Sequence, residues 1–206
     1  MVELRGTVFA LAAALSIGVA AVGASPMIGE RTLPVAAAEA PDAALDPLVH
    51  LMLERLRTAD AVAAAKWSTA TRTGQPPVID DPAREAEVYD SMAAAGARLD
   101  LPESWVRQVF QGQIEANKLV QRGRHAEWRF RPGAAPVTSP DLTAVRPVID
   151  RVNGEILGEL AAARAALSGP ACAPRLAAAV APVVTSGDVD ALHAAALARA
   201  SAALCR

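Results

Sequence analysis

Aromatic side chains are scarce in this sequence: three Trp, three Phe and one Tyr make up 3% of 206 residues. Hydrophobic residues nevertheless reach 52%, so the apolar content is small and aliphatic. Alanine leads it, and alanine loses no side-chain entropy in a helix. Alternation of apolar and polar residues is missing, which argues against sheet, and no internal repeat is visible. Neither sign of charge is in excess. With 20 Lys+Arg against 22 Asp+Glu the formal net charge is −2, which excludes a strongly basic nucleic-acid-binding surface as the default. Charged residues at 20% beside so much apolar content also exclude a wholly disordered chain. A chain of this length allows one domain, or one domain plus an extension.

Reactive groups are equally sparse. There is no glycine-rich phosphate loop, no Ser-His-Asp set and no Cys-His pair. Two cysteines, Cys172 and Cys205, and three scattered histidines, His50, His125 and His193, do not make a metal site.

What is present begins with an uncharged stretch, Gly6 to Ile28, behind Arg5. Its length could span a bilayer. The short basic start, the apolar middle and the small residues Val22-Gly23-Ala24 fit an export signal better than an anchor. A second small-residue site at Ala36-Ala37-Ala38 leaves cleavage open between Ala24 and Ala40. Residues 1–40 are therefore read as export signal and processing region, and 41–206 as a single helical domain. No later segment is apolar enough to span a membrane. In an exported protein the even cysteine count reads as a disulfide, Cys172 to Cys205, stapling the last helices.

Caps and breakers divide the domain into about six helices. They are expected over Asp46 to about Thr71, with Asp60 an internal cap or bend; Pro82 to about Arg98; and Pro102 to about Gly123. After a Pro/Gly-rich connection from Arg131 to Pro140, further helices run from Asp141 to about Leu167, Pro174 to Val184 and Asp188 to Leu204. The fold class is all-α.

Several polar side chains fall on faces that should be apolar, at about 100° per residue. Arg55 and Lys66 share the face of Leu48, Leu51, Met52 and Val62, roughly 16 Å apart along the axis. Arg84 shares its face with Val88 and Met92. Gln113, Asn117 and Gln121 follow at i, i+4, i+8 in the sector of Val109, Phe110 and Ile114. Arg146 falls with Leu142, Ile149 and Leu157. A buried cation without a partner costs several kcal/mol and a buried amide must be hydrogen-bonded. Four inward cations and two or three amides therefore call for an anionic, oxygen-rich occupant between the helices, and the nearest inward acids are Asp81 and Glu85. A cationic pocket without a general base suits an anionic substrate whose reaction needs orientation and charge stabilisation rather than proton transfer.

The runs Glu54-Arg55-Leu56, Asp60 to Trp67, Val109 to Ile114, Glu127-Trp128 and Asp141-Leu142 with Arg146 resemble the secreted subclass of the all-helical chorismate mutases. The likeness extends from about Leu48 to Cys205. It implies a helical bundle that turns chorismate, a dicarboxylate, into prephenate by a Claisen rearrangement, with no cofactor and no metal. It further implies a secreted homodimer with each site inside one subunit. In the roles it assigns, Arg55 and Arg146 hold the substrate carboxylates, Arg84 adds to that grip and Asn117 supports a carboxylate. Lys66 and Gln121 donate to the ether oxygen, and Glu85 or Asp81 accepts from the ring hydroxyl. Asn117 stands where the family usually has Ser or Thr, and Val88 where relatives can have Gln. Pro147, directly after Arg146, is expected to delay or bend its helix. Two other readings fit the residues alone: an exported binding or interaction module without catalysis, and a disulfide-stapled structural domain whose cations reach solvent.

Overall fold

Six helices make up most of the described residues, 44–138 and 141–206, of the computed structural model: α1 (Asp46–Thr73), α2 (Pro82–Ala97), α3 (Glu103–Phe130), α4 (Leu142–Ala162), α5 (Cys172–Thr185) and α6 (Ala191–Ser201). A short 3-10 turn, Pro132–Ala134, follows α3, and no strand occurs among the described residues. The all-α reading holds. The expected export signal and both candidate cleavage sites lie outside the described residues. No described helix is long and apolar enough to cross a membrane.

Local chemistry explains most helix starts. Asp81 caps α2 by accepting from the Arg84 N–H at 3.1 Å, with Pro82 in the first turn. Asp141 accepts from the Thr143 N–H at 2.8 Å to cap α4, and Asp190 accepts from the His193 N–H at 2.9 Å to cap α6. Each such cap answers an N–H that the helix itself leaves without a partner.

The main departures from expectation are four, while the ends of α5 and α6 differ by three residues or fewer. α1 passes through Asp60 without a break, because that carboxylate is engaged by Arg124 and His193 rather than by backbone. α3 continues past Gly123 to Phe130. A Cβ at Gly123 would lie 2.6 Å from Leu192, so this glycine admits a neighbouring side chain and does not stop the helix. α4 ends at Ala162, and a turn ending at Gly169, with φ of 77°, carries the chain toward Cys172. α4 also starts at Leu142, with Pro147 inside it. The carbonyl that Pro147 leaves without an N–H belongs to Thr143, in the exposed first turn, where solvent can serve it.

α1 is the central helix and packs against α3, α4, α5 and α6, while α2 lies on α3 and α4. Leu48, Val49, Met52 and Leu56 of α1 meet Val109 and Phe110 of α3, Ile156 and Leu160 of α4, and Leu197 of α6 in one continuous core. Burial of each large aliphatic side chain contributes roughly 1.5–3 kcal/mol. The Cys172–Cys205 disulfide joins the start of α5 to the tail beyond α6. That tail is fastened further: the Trp105 indole donates to the Leu204 carbonyl at 2.8 Å, and the Gln108 amide donates to the carbonyls of Ala203 and Cys205.

Candidate active site

α1, α2, α3 and α4 enclose a cavity of about 270 Å³. Its polar wall consists of Arg55, Lys66, Asp81, Arg84, Glu85, Asn117, Lys118, Gln121 and Arg146, and its apolar wall of Val62, Ile79, Val88, Ile114, Leu142, Val145 and Ile149. All eight side chains expected at a substrate site are therefore brought to one hollow. Five cations face two carboxylates there, so the lining favours an anionic occupant.

The members are held very differently. Arg55 is buried, at 5% exposure. Its Nε donates to the Asn153 side-chain oxygen at 2.8 Å and its Nη1 to the Gln113 backbone carbonyl at 3.2 Å. Burial pushes the guanidinium pKa down to about 10, against a weaker upward pull from Tyr89. At neutral pH Arg55 remains a cation. Lys66 is half-buried and donates from Nζ to the Ile79 carbonyl at 3.4 Å. Burial also lowers its pKa, opposed by Asp81, Asp80 and Glu85.

Arg84 and Arg146 do not turn inward as expected. Arg84 is exposed and ion-pairs with Glu87 at 2.7 Å, one turn along α2, so it stands at the rim. Arg146 is likewise exposed where α4 borders the cavity. Both lie early in their helices, where long cationic stems can run along the apolar wall and keep the charge in water.

The amide ladder of α3 splits. Gln121 is buried at 5% exposure and lines the cavity, and its Oε1 has no hydrogen-bond partner. Asn117 lies half-buried one turn earlier, with a long contact of 3.5 Å from Nδ2 to the Arg55 carbonyl. Gln113 is completely buried and stands off the cavity wall. Its backbone serves Arg55, while neither atom of its side-chain amide has a partner.

Two residues absent from the expected set matter to this geometry. Lys118 is buried, and its Nζ lies 2.7 Å from Glu85, 2.9 Å from Glu115 and 3.2 Å from Asp80. Burial alone would lower its pKa, but bonds from these three carboxylates raise it. The signal was available, since Lys118 sits at i+4 from Ile114 and i−3 from Gln121 on the inward sector. Asn153, two turns after Arg146, is 3% exposed and holds Arg55. A buried Asn in mid-helix is a poor helix former and needs a partner, which was its signal.

The acids are already in use. Glu85 receives Lys118 and also accepts from the Asp81 N–H at 3.3 Å, while Asp81 caps α2. A larger hollow of about 570 Å³, lined by Asp60, Arg124, Glu127 and Trp128, has no comparable charge to offer. There Arg124 is answered by Asp60 and Asp190, each at 2.7 Å, and by Glu127 at 3.2 Å. His193, buried beside Asp60 and Asp190, has its pKa raised by the Asp60 bond against the cost of burial. Asp190 is held down at about 2: burial opposes this, but bonds from His193 and Arg124 prevail.

Residues 43–122 match the family model for chorismate mutase type II. A secreted chorismate mutase of Mycolicibacterium smegmatis is 37% identical over 162 residues, covering 79% of this chain and 86% of the relative. A secreted chorismate mutase of Mycobacterium tuberculosis is 32% identical over 196 residues, covering 95% and 93%. The crystal structure of chorismate mutase from Burkholderia phymatum superposes with a TM-score of 0.71 at 38% identity, covering 79% of this chain and 96% of that one.

Proposed function

The chain belongs to the secreted chorismate mutases, and we propose that the cavity between α1, α2, α3 and α4 is where it converts chorismate to prephenate. The observation that carries this assignment is the convergence of Arg55, Lys66, Arg84 and Arg146 from three helices on one hollow also lined by the amides of Asn117 and Gln121. The substrate is a dicarboxylate. Arg55 binds one carboxylate from the buried end and Arg146 the other from the rim. Arg84 closes over them by exchanging Glu87 for the substrate, and Asn117 adds an amide donor.

The rearrangement is intramolecular: the ether C–O bond breaks as a C–C bond forms, without net proton transfer to the protein. Holding the two ends in the reactive conformer lowers the barrier by pre-ordering the reactant. Negative charge grows on the ether oxygen in the transition state. Lys66 and the Gln121 amide donate to it, already positioned in a partly desolvated site, so the gain is greater in the transition state than in the ground state. Asp81 or Glu85 accepts from the ring hydroxyl, Glu85 while held by Lys118. Every residue assigned to the site lies on a single chain, in keeping with a site inside one subunit, and the homodimer that the family resemblance implies is part of this reading.

Loss of chorismate absorbance tests the assignment. Lys66→Ala is expected to keep the helical spectrum and cooperative melting while lowering kcat by at least about a hundredfold, the scale of losing a donor to a developing oxyanion. Turnover within a few-fold of the parent would remove Lys66 from this role. Binding of chorismate without turnover by the folded parent protein would instead favour the non-catalytic binding module, whereas a transition-state mimic bound more tightly than chorismate would argue against that module.

A further inference from the structure

We propose that Asn153 is a positioning residue for Arg55, selected by the geometry because it is an uncharged acceptor. Its side-chain oxygen fixes the guanidinium at Nε, 2.8 Å away, and leaves the positive charge unspent for a carboxylate in the cavity. This rests on the reading of Arg55 as a carboxylate-binding cation.

A guanidinium has five N–H donors and no acceptor, so the Asn153 atom facing Nε must be its oxygen. One further donor, from Nη1, serves the Gln113 carbonyl. Both anchors are neutral, and the remaining donors are free to meet an anion where Arg55 borders the cavity. Among the described residues no carboxylate lies within ion-pair distance of Arg55. The contrast with Lys118, also buried on this wall and answered by Asp80, Glu85 and Glu115, shows that carboxylates are not excluded from this region. Asn153 is itself 3% exposed and off the cavity wall, so it acts through Arg55 and does not touch the substrate. Helix propensity does not account for it, since Asn in a helix interior is less favourable than Ala.

A carboxylate in the same place would bind Arg55 more strongly, because a hydrogen bond between two charges is stronger than one to a neutral acceptor. It would also neutralise the cation. Stability and catalysis therefore separate in Asn153→Asp, a nearly isosteric change. The experiment measures kcat, KM and thermal melting for Asn153→Asp, Asn153→Ala and Arg55→Ala. Asn153→Asp is expected to melt no lower than the parent while kcat/KM falls on the order of tenfold or more, chiefly through KM. Asn153→Ala is expected to lose at least about tenfold in kcat/KM in a folded protein, because the guanidinium is no longer oriented. A merely structural contact would be preserved by Asp, with activity unchanged. Inactive Arg55→Ala with Asn153→Asp within twofold of the parent overturns the inference and leaves the role of Arg55 standing. Full activity in folded Asn153→Ala overturns it as well, whether or not the Asp variant folds. Full activity in Arg55→Ala overturns the reading of Arg55 itself.

Discussion

Arg55 is a burden to the fold, and replacing it together with its anchor by Arg55→Met and Asn153→Leu is expected to stabilise the protein while abolishing turnover. Burial holds the guanidinium at a pKa of about 10, well below its ordinary value. A drop of that size corresponds to a folding cost of about 3 kcal/mol wherever the group is protonated in both states. The unfolded chain holds this proton more tightly than the folded one. The cost is therefore full at neutral pH and fades as the pH rises through about 10. Removing the charge alone is not enough: Arg55→Met would leave the Asn153 oxygen buried without a donor, costing about 1–3 kcal/mol. The second substitution removes that orphan, and the Gln113 carbonyl keeps its place in the bonding of α3. Replacing a buried ionic or polar set by apolar groups of similar volume is commonly neutral to stabilising. In a domain of this size the recovered free energy corresponds to about 6–12 °C in melting temperature. Thermal melting followed by circular dichroism at neutral pH measures it, with chorismate consumption as the parallel readout. A double variant that melts several degrees below the parent would refute the argument, since it would mean that the guanidinium and its two anchors are a net support.

Three further outcomes follow from other parts of the structure. Lys66 and Arg55 both have pKa values lowered by burial, so kcat/KM should decline as the pH approaches about 10, earlier than ordinary side chains would require; a flat profile to that pH would contradict the assigned cations. Reducing Cys172–Cys205, which spans 33 positions, removes about 4 kcal/mol in the loop-entropy account, or about 8–16 °C of melting temperature. Activity at 25 °C should persist, because neither cysteine lines the cavity. Gly112→Ala would drive a Cβ into the Ala203 Cβ and place it 3.3 Å from the Ala200 carbonyl, so separating α3 from α6 is expected to cost about 1–3 kcal/mol in a denaturant titration. An unchanged midpoint would show that α6 yields freely.

Helix starts were legible wherever a cap and a proline coincide, as at Asp81-Pro82, and the inward face of α1 was legible because Arg55 and Lys66 interrupt an otherwise apolar stripe. Helix ends were less so. Gly123 has the composition of a stop, yet its role is to admit Leu192, a contact between elements that local sequence cannot display. Asp60 has the chemistry of a cap and is instead claimed by Arg124 and His193. Periodicity placed Arg84 and Arg146 on apolar faces correctly as stripes, but not how far their stems would reach along them; both heads end at the surface. The Ile79 carbonyl that receives Lys66 had no signal at all, because any loop residue presents the same backbone acceptor.

A chain of nearly balanced charge can build a cationic pocket only if its acids are committed elsewhere. Here two buried or half-buried cations act as sinks. Lys118 gathers Asp80, Glu85 and Glu115, and Arg124 gathers Asp60, Glu127 and Asp190. Of these six, Asp80 and Glu85 pull the Lys66 pKa upward through space, and their ion pairs with Lys118 keep them from pairing directly with Lys66. Arg55 is then anchored by neutral oxygens alone, and Lys66 by the Ile79 carbonyl. Were Glu85 released from Lys118, its negative charge would compete with a substrate carboxylate for the cations of the same wall. Under the proposed function, the ion pairs around the cavity act through what they withhold: they leave the positive charge of Arg55 and Lys66 for an anion that arrives from outside.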